Sequence, residues 1–232
     1  MKNTNTMTWI GLAAALTFAA CLAAPGVCLA QGDDAKDELV ELKIQLPKPM
    51  FVGTPKNIKS KHLDPKTGKR RKPFKAPQGV VLLSAEKPVA ASDDEPIIGE
   101  LEMLTDADKE GADGSFVEFG PDLQWVQIDL EQEHEIYVIV VWHYHSQARI
   151  YRDVVVKVSN DPDFVTDVKN VYNNDYDNSS GLGVGKDYEY IETNEGRLID
   201  CKGVKGHYVR LYSDGNTSND MNHYIEVEVY GK

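Results

Sequence analysis

Residues 125–145 read WVQIDLEQEHEIYVIVVWHYH, the stretch of this chain that most needs a buried partner. Within it, 125–130 alternates apolar and polar residues with period two, the mark of a half-buried strand. Residues 131–135 are rich in charge, and 137–142 is a nearly unbroken run of β-branched and aromatic side chains. The pattern predicts a hairpin: a strand, a charged connection and a core-facing strand. On the second strand the pleat places Ile136, Val138, Val140, Trp142 and Tyr144 on one face, and Tyr137, Ile139, Val141, His143 and His145 on the other. Both histidines therefore point the same way.

The same texture continues in shorter pieces from Gly79 to the end. Strands are predicted at 80–83, 115–119, 153–159, 170–172, 188–192, 208–212 and 224–230, separated by clusters of Gly, Asn and Asp. No stretch carries a convincing helical period, and the connections are too short for crossover helices. The expected fold class is all-β, an antiparallel β-sandwich over residues 79–232, and roughly 150 residues suffice for one such core.

Upstream of Gly79 the pattern is different. Lys2 gives a thin positive start, residues 10–24 are apolar, and Cys28 and Ala30 set small residues at the −3 and −1 positions before Gln31. Residues 1–30 are thus expected to be a signal peptide, giving an exported product in the periplasm, at the cell surface or outside the cell. Pro25-Gly26 interrupts an apolar run already short for a bilayer, so no integral membrane span is expected after cleavage. Phe18-Ala19-Ala20-Cys21 resembles a lipobox and leaves lipoprotein anchoring as the alternative. After cleavage only Cys201 remains, which excludes an intramolecular disulfide and suits a half-buried strand residue.

Residues 31–78 are expected to form a flexible acidic tether followed by a proline-rich basic arm. Charge gives this region its interest. Between Lys43 and Gln78 there are eleven lysines and arginines against one acid, Asp64, for +10; from Gly79 onward twelve basic residues face thirty-one acidic ones, for −19. Such regions attract each other. The arm is expected to lie on the acidic domain or to space it from a surface. The run Lys69-Arg70-Arg71-Lys72 also suits a polyanion, but Phe51 and Phe74 are the arm's only aromatics, so no nucleic acid partner is expected.

Several segments from about Ser84 to Lys232 resemble the discoidin, or coagulation factor 5/8 type C, domain, a galactose-binding-like jelly roll related to carbohydrate-binding modules. They are KPVAAS at 87–92, LTDAD at 104–108, WVQIDL at 125–130, VVVKVSND at 154–161, GHYVRLY at 206–212 and IEVEVYG at 225–231. The resemblance implies a jelly-roll sandwich and a structural calcium at the acidic turn. Asp106 would supply a side chain, Asp108 a backbone or side-chain oxygen and Glu226 a distant carboxylate, a hard-oxygen set that suits calcium. The usual Asp-Gly-Asp or Asp-Gly-Asn turn is here Asp106-Ala107-Asp108, followed by an acidic, glycine-containing segment.

In relatives the loops at the calcium end bind sugars, phospholipid heads or protein partners. If 125–130 runs away from that end, a hairpin returns 137–142 to it, which brings Trp142, His143, Tyr144, His145 and Arg149 beside the loop SDGNTSNDMNH with Asn219 and His223. Amides, imidazoles and aromatic faces of this kind suit sugar hydroxyls and pyranose rings. The expected function is a non-catalytic exported binding module for a glycan or cell-surface polymer. One alternative is a surface or matrix protein that self-associates through its basic arm and acidic domain. Another is a small metal-dependent enzyme using His143-x-His145, although no HExxH, paired-cysteine, GxSxG or P-loop signature accompanies that pair.

Overall fold

The computed structural model describes residues 38–51 and 58–232, so the expected signal peptide and most of the acidic tether lie outside the described residues. Eleven strands follow in order: β1 (Leu39–Glu41), β2 (Lys75–Pro77), β3 (Val81–Leu82), β4 (Val89–Ala91), β5 (Val117–Phe119), β6 (Gln124–Trp142), β7 (Val155–Ser159), β8 (Lys169–Asn173), β9 (Arg197–Ser213), β10 (Asn222–Tyr224) and β11 (Glu226–Gly231). The one helical element among the described residues is a 3-10 turn, Leu101–Thr105. All strand ladders are antiparallel.

The predicted hairpin is in fact one strand. β6 runs 19 residues without reversing, antiparallel to the 17-residue β9 along nearly its whole length. Its charged middle does not turn the chain; it slips the register between Asp129 and His134, with Glu131 at φ 68. A patch of exposed charge in a strand can mark a bulge that bends it as well as a connection that ends it. The bend creates the sandwich. The first part of β6 pairs with β4 and the end of β9, and β7 and β8 continue that half; the second part pairs with β11 and the start of β9, and β3 completes the other half. One seven-stranded sheet is thereby folded on itself into a jelly-roll-like sandwich.

The two halves close on a core that includes Val126, Ile128, Ile139, Val141, Val156, Val209, Leu211, Val227 and Val229. A second cluster, Val138, Val140, Trp142, Ile225 and Tyr230, lies on the opposite face of the β6–β11 pair. Ile136 joins the first core rather than the second, because the register shifts again between Ile136 and Val138.

The basic arm covers the second cluster. β1 pairs with β2, and Leu42, Ile44, Phe74, Val80 and Leu82 pack onto Val138, Val140 and Trp142. Farther along, Leu63 bridges Glu189, the Asp64 amide donates to Glu189 O at 2.8 Å, and His62 stacks on Tyr176 at 3.5 Å. Among the described residues the arm is held against the sandwich at 42–44, 62–64 and 71–74. Residues 188–192, expected as a strand, instead pass beneath it and make isolated contacts. The predicted strand at 224–230 is two strands broken at Ile225, and 208–212 is only the last part of β9. No helix among the described residues is long and apolar enough to cross a membrane.

Candidate functional site

At the end of β6 the pleat sends successive side chains to opposite faces. His143 goes inward between the halves. Its Nδ1 lies 2.6 Å from Glu192 Oε1, its ring stacks on Tyr151 at 4.4 Å, and Tyr224 approaches at 4.8 Å. Arg149 follows in the loop after β6; its guanidinium sits 4.8 Å over the Tyr144 ring, and Nη2 donates to Gln147 Oε1 at 3.2 Å. The β5–β10 pair supplies His223, whose Nε2 is 2.9 Å from Glu118 Oε2 and whose ring faces Tyr144 and Tyr151 at 5.8 and 6.0 Å.

The loop carrying Asn219 is tied to the same end. Thr217 N donates to Ile150 O at 2.9 Å, and Ile150 N donates to Thr217 Oγ1 at 3.1 Å. Within it Asn216 accepts from the amides of Ser218 and Asn219 and donates to Asn219 Oδ1 and Met221 O. Asn219 itself is exposed.

His143, Tyr144, Arg149 and His223 therefore form one cluster, and the loop that carries Asn219 is tied to the same end through Thr217 and Ile150. Trp142 and His145 go elsewhere. Trp142 lies on the second-cluster face, where Nε1 donates to Asn194 O at 3.0 Å and Lys109 Nζ lies 5.4 Å from the ring. The indole is fully buried, which corrects its expected use as an open platform for a sugar ring. His145 Nε2 donates to Lys109 O at 2.8 Å. The two imidazoles of the H-x-H pair are both buried and serve different partners, so they do not converge as two ligands of one ion.

The cluster is closed and polar. His143, Arg149, Glu192 and His223 are all buried, yet among the described residues His143 Nε2, Glu192 Oε2, Arg149 Nε and Nη1 and His223 Nδ1 have no hydrogen-bond partner. Each such group costs on the order of 1–3 kcal/mol when left unsatisfied, so this end of the sandwich holds unspent capacity for a polar partner. Burial, together with the nearby Arg149 and His143, lowers the His223 pKa to about 4. Burial also raises the Tyr151 phenol well above its ordinary value.

Glu226 pairs with Trp142 at the start of β11, and its Oε2 accepts from the Ala107 amide at 3.0 Å. The acidic turn therefore sits beside the end of β6, although no hairpin brings it there. Asp106 Oδ1 accepts from the Asp108 amide and Asp108 Oδ1 from the Glu110 amide, which shapes the turn. Burial raises the Glu226 carboxyl to about 9, with Glu228 and Asp106 adding to the effect and the Ala107 hydrogen bond and Lys109 opposing it. Asp106 and Glu226, two of the three acids of the expected calcium set, thus lie close enough to act on one another electrostatically. A separate set among the described residues, Asp153, Asp175 and Asp177, brings one ligand atom from each within 4.8 Å of the others.

Glu192, Glu118 and Tyr151 are members of the cluster that the sequence reading omits. Glu192 is one acid among many in a segment read as an ordinary strand, and nothing in its neighbours marks it as the partner of His143. Glu118 has a detectable signal only in retrospect, through its strand's pairing with His223.

Residues 114–211 match the family model described as the F5/F8 type C, NedA-like, galactose-binding domain. The match takes in less than half of the chain, from just before β5 to near the end of β9. Among solved structures, the CBM32 of AlyQ in complex with 4,5-unsaturated mannuronic acid is 20% identical over 61% of this chain and 92% of that one, with a TM-score of 0.46. A Streptococcus pneumoniae fucose-binding module, SpX-3, is 19% identical over 66% and 98%, with a TM-score of 0.46. The family 89 glycoside hydrolase from Clostridium perfringens is 17% identical over 66% of this chain with a TM-score of 0.49, and only 15% of that much longer enzyme is spanned. No curated protein matches the chain.

Proposed function

We propose that this chain is an exported, non-catalytic carbohydrate-binding module whose saccharide docks at the end of the sandwich where β6 emerges. The observation that carries the reading is the buried polar cluster of His143, Arg149, Glu192 and His223, with its unpartnered donors and acceptors; the first three lie inside the segment that matches a galactose-binding domain, and His223 lies beyond its end. Sugar hydroxyls both donate and accept, and so complement such a mixture. Tyr144, half-buried, and Asn219, exposed, form the accessible rim; His143 and Glu192 form the base. Asp106, Asp108 and Glu226 would hold a structural calcium that stiffens the adjoining turn, and its role there is charge compensation, not chemistry.

A glycan array with the full chain, followed by calorimetry on each hit, tests the proposal. Binding to a defined saccharide is expected, with an affinity loss of roughly tenfold or more in Arg149→Ala. Because Arg149 is buried, Asn219→Ala serves as the surface control: it is expected to weaken binding several-fold while lowering the melting temperature less than Arg149→Ala does. Full-affinity binding in both variants would move the saccharide away from this end.

A further inference from the structure

We propose that the groove between the docked basic arm and the sandwich is a second binding site, for a linear acidic saccharide that carries carboxylate or sulfate groups. This does not rest on the saccharide site at the end of β6.

The groove encloses about 1020 Å³ between 49–51 and 64–74 of the arm and 190–198 of the sandwich. Room of that size suits a few sugar units. Its basic residues divide into two sets. Arg71 and Arg197 are committed to holding the arm in place: Arg71 Nη1 donates to Glu195 O and Gly196 O at 2.7 and 3.1 Å, its amide donates to Glu195 Oε2 at 2.8 Å, and Arg197 Nη1 lies 3.2 Å from Asp64 Oδ2. Lys66, Lys69, Arg70 and Lys72 line the same groove, are exposed, and among the described residues take part in no ion pair. The carboxylates of the groove, Asp64 and Glu195, are thus already engaged with the first set, and the four cations have no ion-pair partner among the described residues.

The backbone that carries them is ordered by local bonds. Lys66 N donates to Asp64 Oδ1, Thr67 N to Asp64 O and Lys69 N to Lys66 O, at 2.8, 2.9 and 3.0 Å. Four cations held on a preset turn lose less freedom on binding than four on a loose tail. They also form the positive feature of a chain whose net charge is −12, so an anionic ligand is repelled elsewhere and focused here.

Saccharide is favoured over nucleic acid by the walls. Single strands gain affinity by stacking bases on exposed rings. Of the three aromatic residues lining the groove, Phe74 packs into the second hydrophobic cluster and Tyr190 is buried with the Arg197 guanidinium 5.0 Å over its ring, which leaves the half-buried Phe51 as a single ring and no row of them. Thr67, Thr193 and Asn194 instead offer hydroxyl and amide groups along the groove.

Four hexameric probes titrated into the full chain at low ionic strength test the site: an oligogalacturonate, a sulfated carrageenan fragment, cellohexaose and hexathymidylate. One or both acidic saccharides are expected to bind, with affinity that falls as salt rises, while cellohexaose does not compete. In the variant Lys69→Ser/Arg70→Ser/Lys72→Ser, whose changes are all at exposed positions, that affinity is expected to fall roughly tenfold or more. Which acidic probe binds identifies the anionic group. The proposal is overturned if neither acidic saccharide binds, if the triple variant binds as well as the parent, or if hexathymidylate binds more tightly than both.

Discussion

Lys109 and Glu228 form a buried pair at 2.6 Å, and Tyr230 donates to the other Glu228 oxygen at 2.7 Å. Removing one member leaves the other charge without compensation. Lys109→Ala is expected to cost roughly 3–5 kcal/mol in urea unfolding, and Lys109→Met combined with Glu228→Gln markedly less. Gly196 is constrained in a different way: its φ is 62, and a Cβ there would lie 2.7 Å from the Trp142 indole. Gly196→Ala is expected to destabilise by about 1–3 kcal/mol and to shift tryptophan emission.

Two titrating groups at the site act with opposite sign. The folded His223 pKa is lowered to about 4 from 6.5, so the unfolded chain binds more protons between these values. Its contribution is present above about 6.5 and lost as pH falls towards 4. The folded Glu226 pKa is raised to about 9 from 4.5, so its contribution is complete below 4.5 and is lost as pH rises towards 9. In chelator, the melting temperature is expected to fall between pH 6 and 9, and Glu226→Gln is expected to flatten that slope. Calcium is expected to raise the melting temperature most at the alkaline end, and an equal response in Glu226→Gln would contradict the calcium assignment. Residue chemistry of this sort was only partly legible in the sequence. The turn at 106–108 and Glu226 could be related through the family resemblance, whereas the pairing of His143 with Glu192 spans 49 positions and has no local signature.

At the scale of elements, periodicity located the apolar strands and missed how they are joined. Residues 131–133, Glu-Gln-Glu, are exposed and polar, which a turn and a bulge share, and only the partner strand decides between them. Because β9 also continues through the bend, the hydrogen-bonded ladder can cross from one half of the sandwich to the other. The pleat assignment fared better: Val138, Val140 and Trp142 do share a face, opposite Ile139, Val141 and His143. What alternation could not show was that both faces are covered, one by the other half of the sheet and one by the arm. The arm's sparse apolar residues, Leu42, Ile44 and Phe74, looked insufficient for a core because their partners lie near residues 138–142. A chain beginning at Gly79 is expected to lose several degrees of melting temperature and to bind a hydrophobic dye, since Val138, Val140 and Tyr230 lose that cover. Unchanged stability after this truncation would show that the arm is merely laid on a self-sufficient domain.

For the molecule as a whole, the division of charge finds a structural use. Part of the +10 segment is tied to its own chain, as where the Arg71 guanidinium donates to Glu195 O and Gly196 O, and part remains exposed along the groove. The fold class was legible from the order of the landmarks, since the jelly-roll pattern survives where individual strand boundaries do not. The function was legible only as a class, because fold and family leave the ligand to the chemistry of the loops. Here the loop chemistry is a closed cluster of imidazole, guanidinium and carboxylate beneath an amide-bearing rim. The most direct measurement of the central claim is amide and imidazole chemical-shift mapping with a neutral saccharide selected on the array. The largest shifts are expected at 143–149, at 216–223 and on the rings of His143 and His223. Shifts confined to other surfaces, or the failure of every saccharide to produce any, would contradict it.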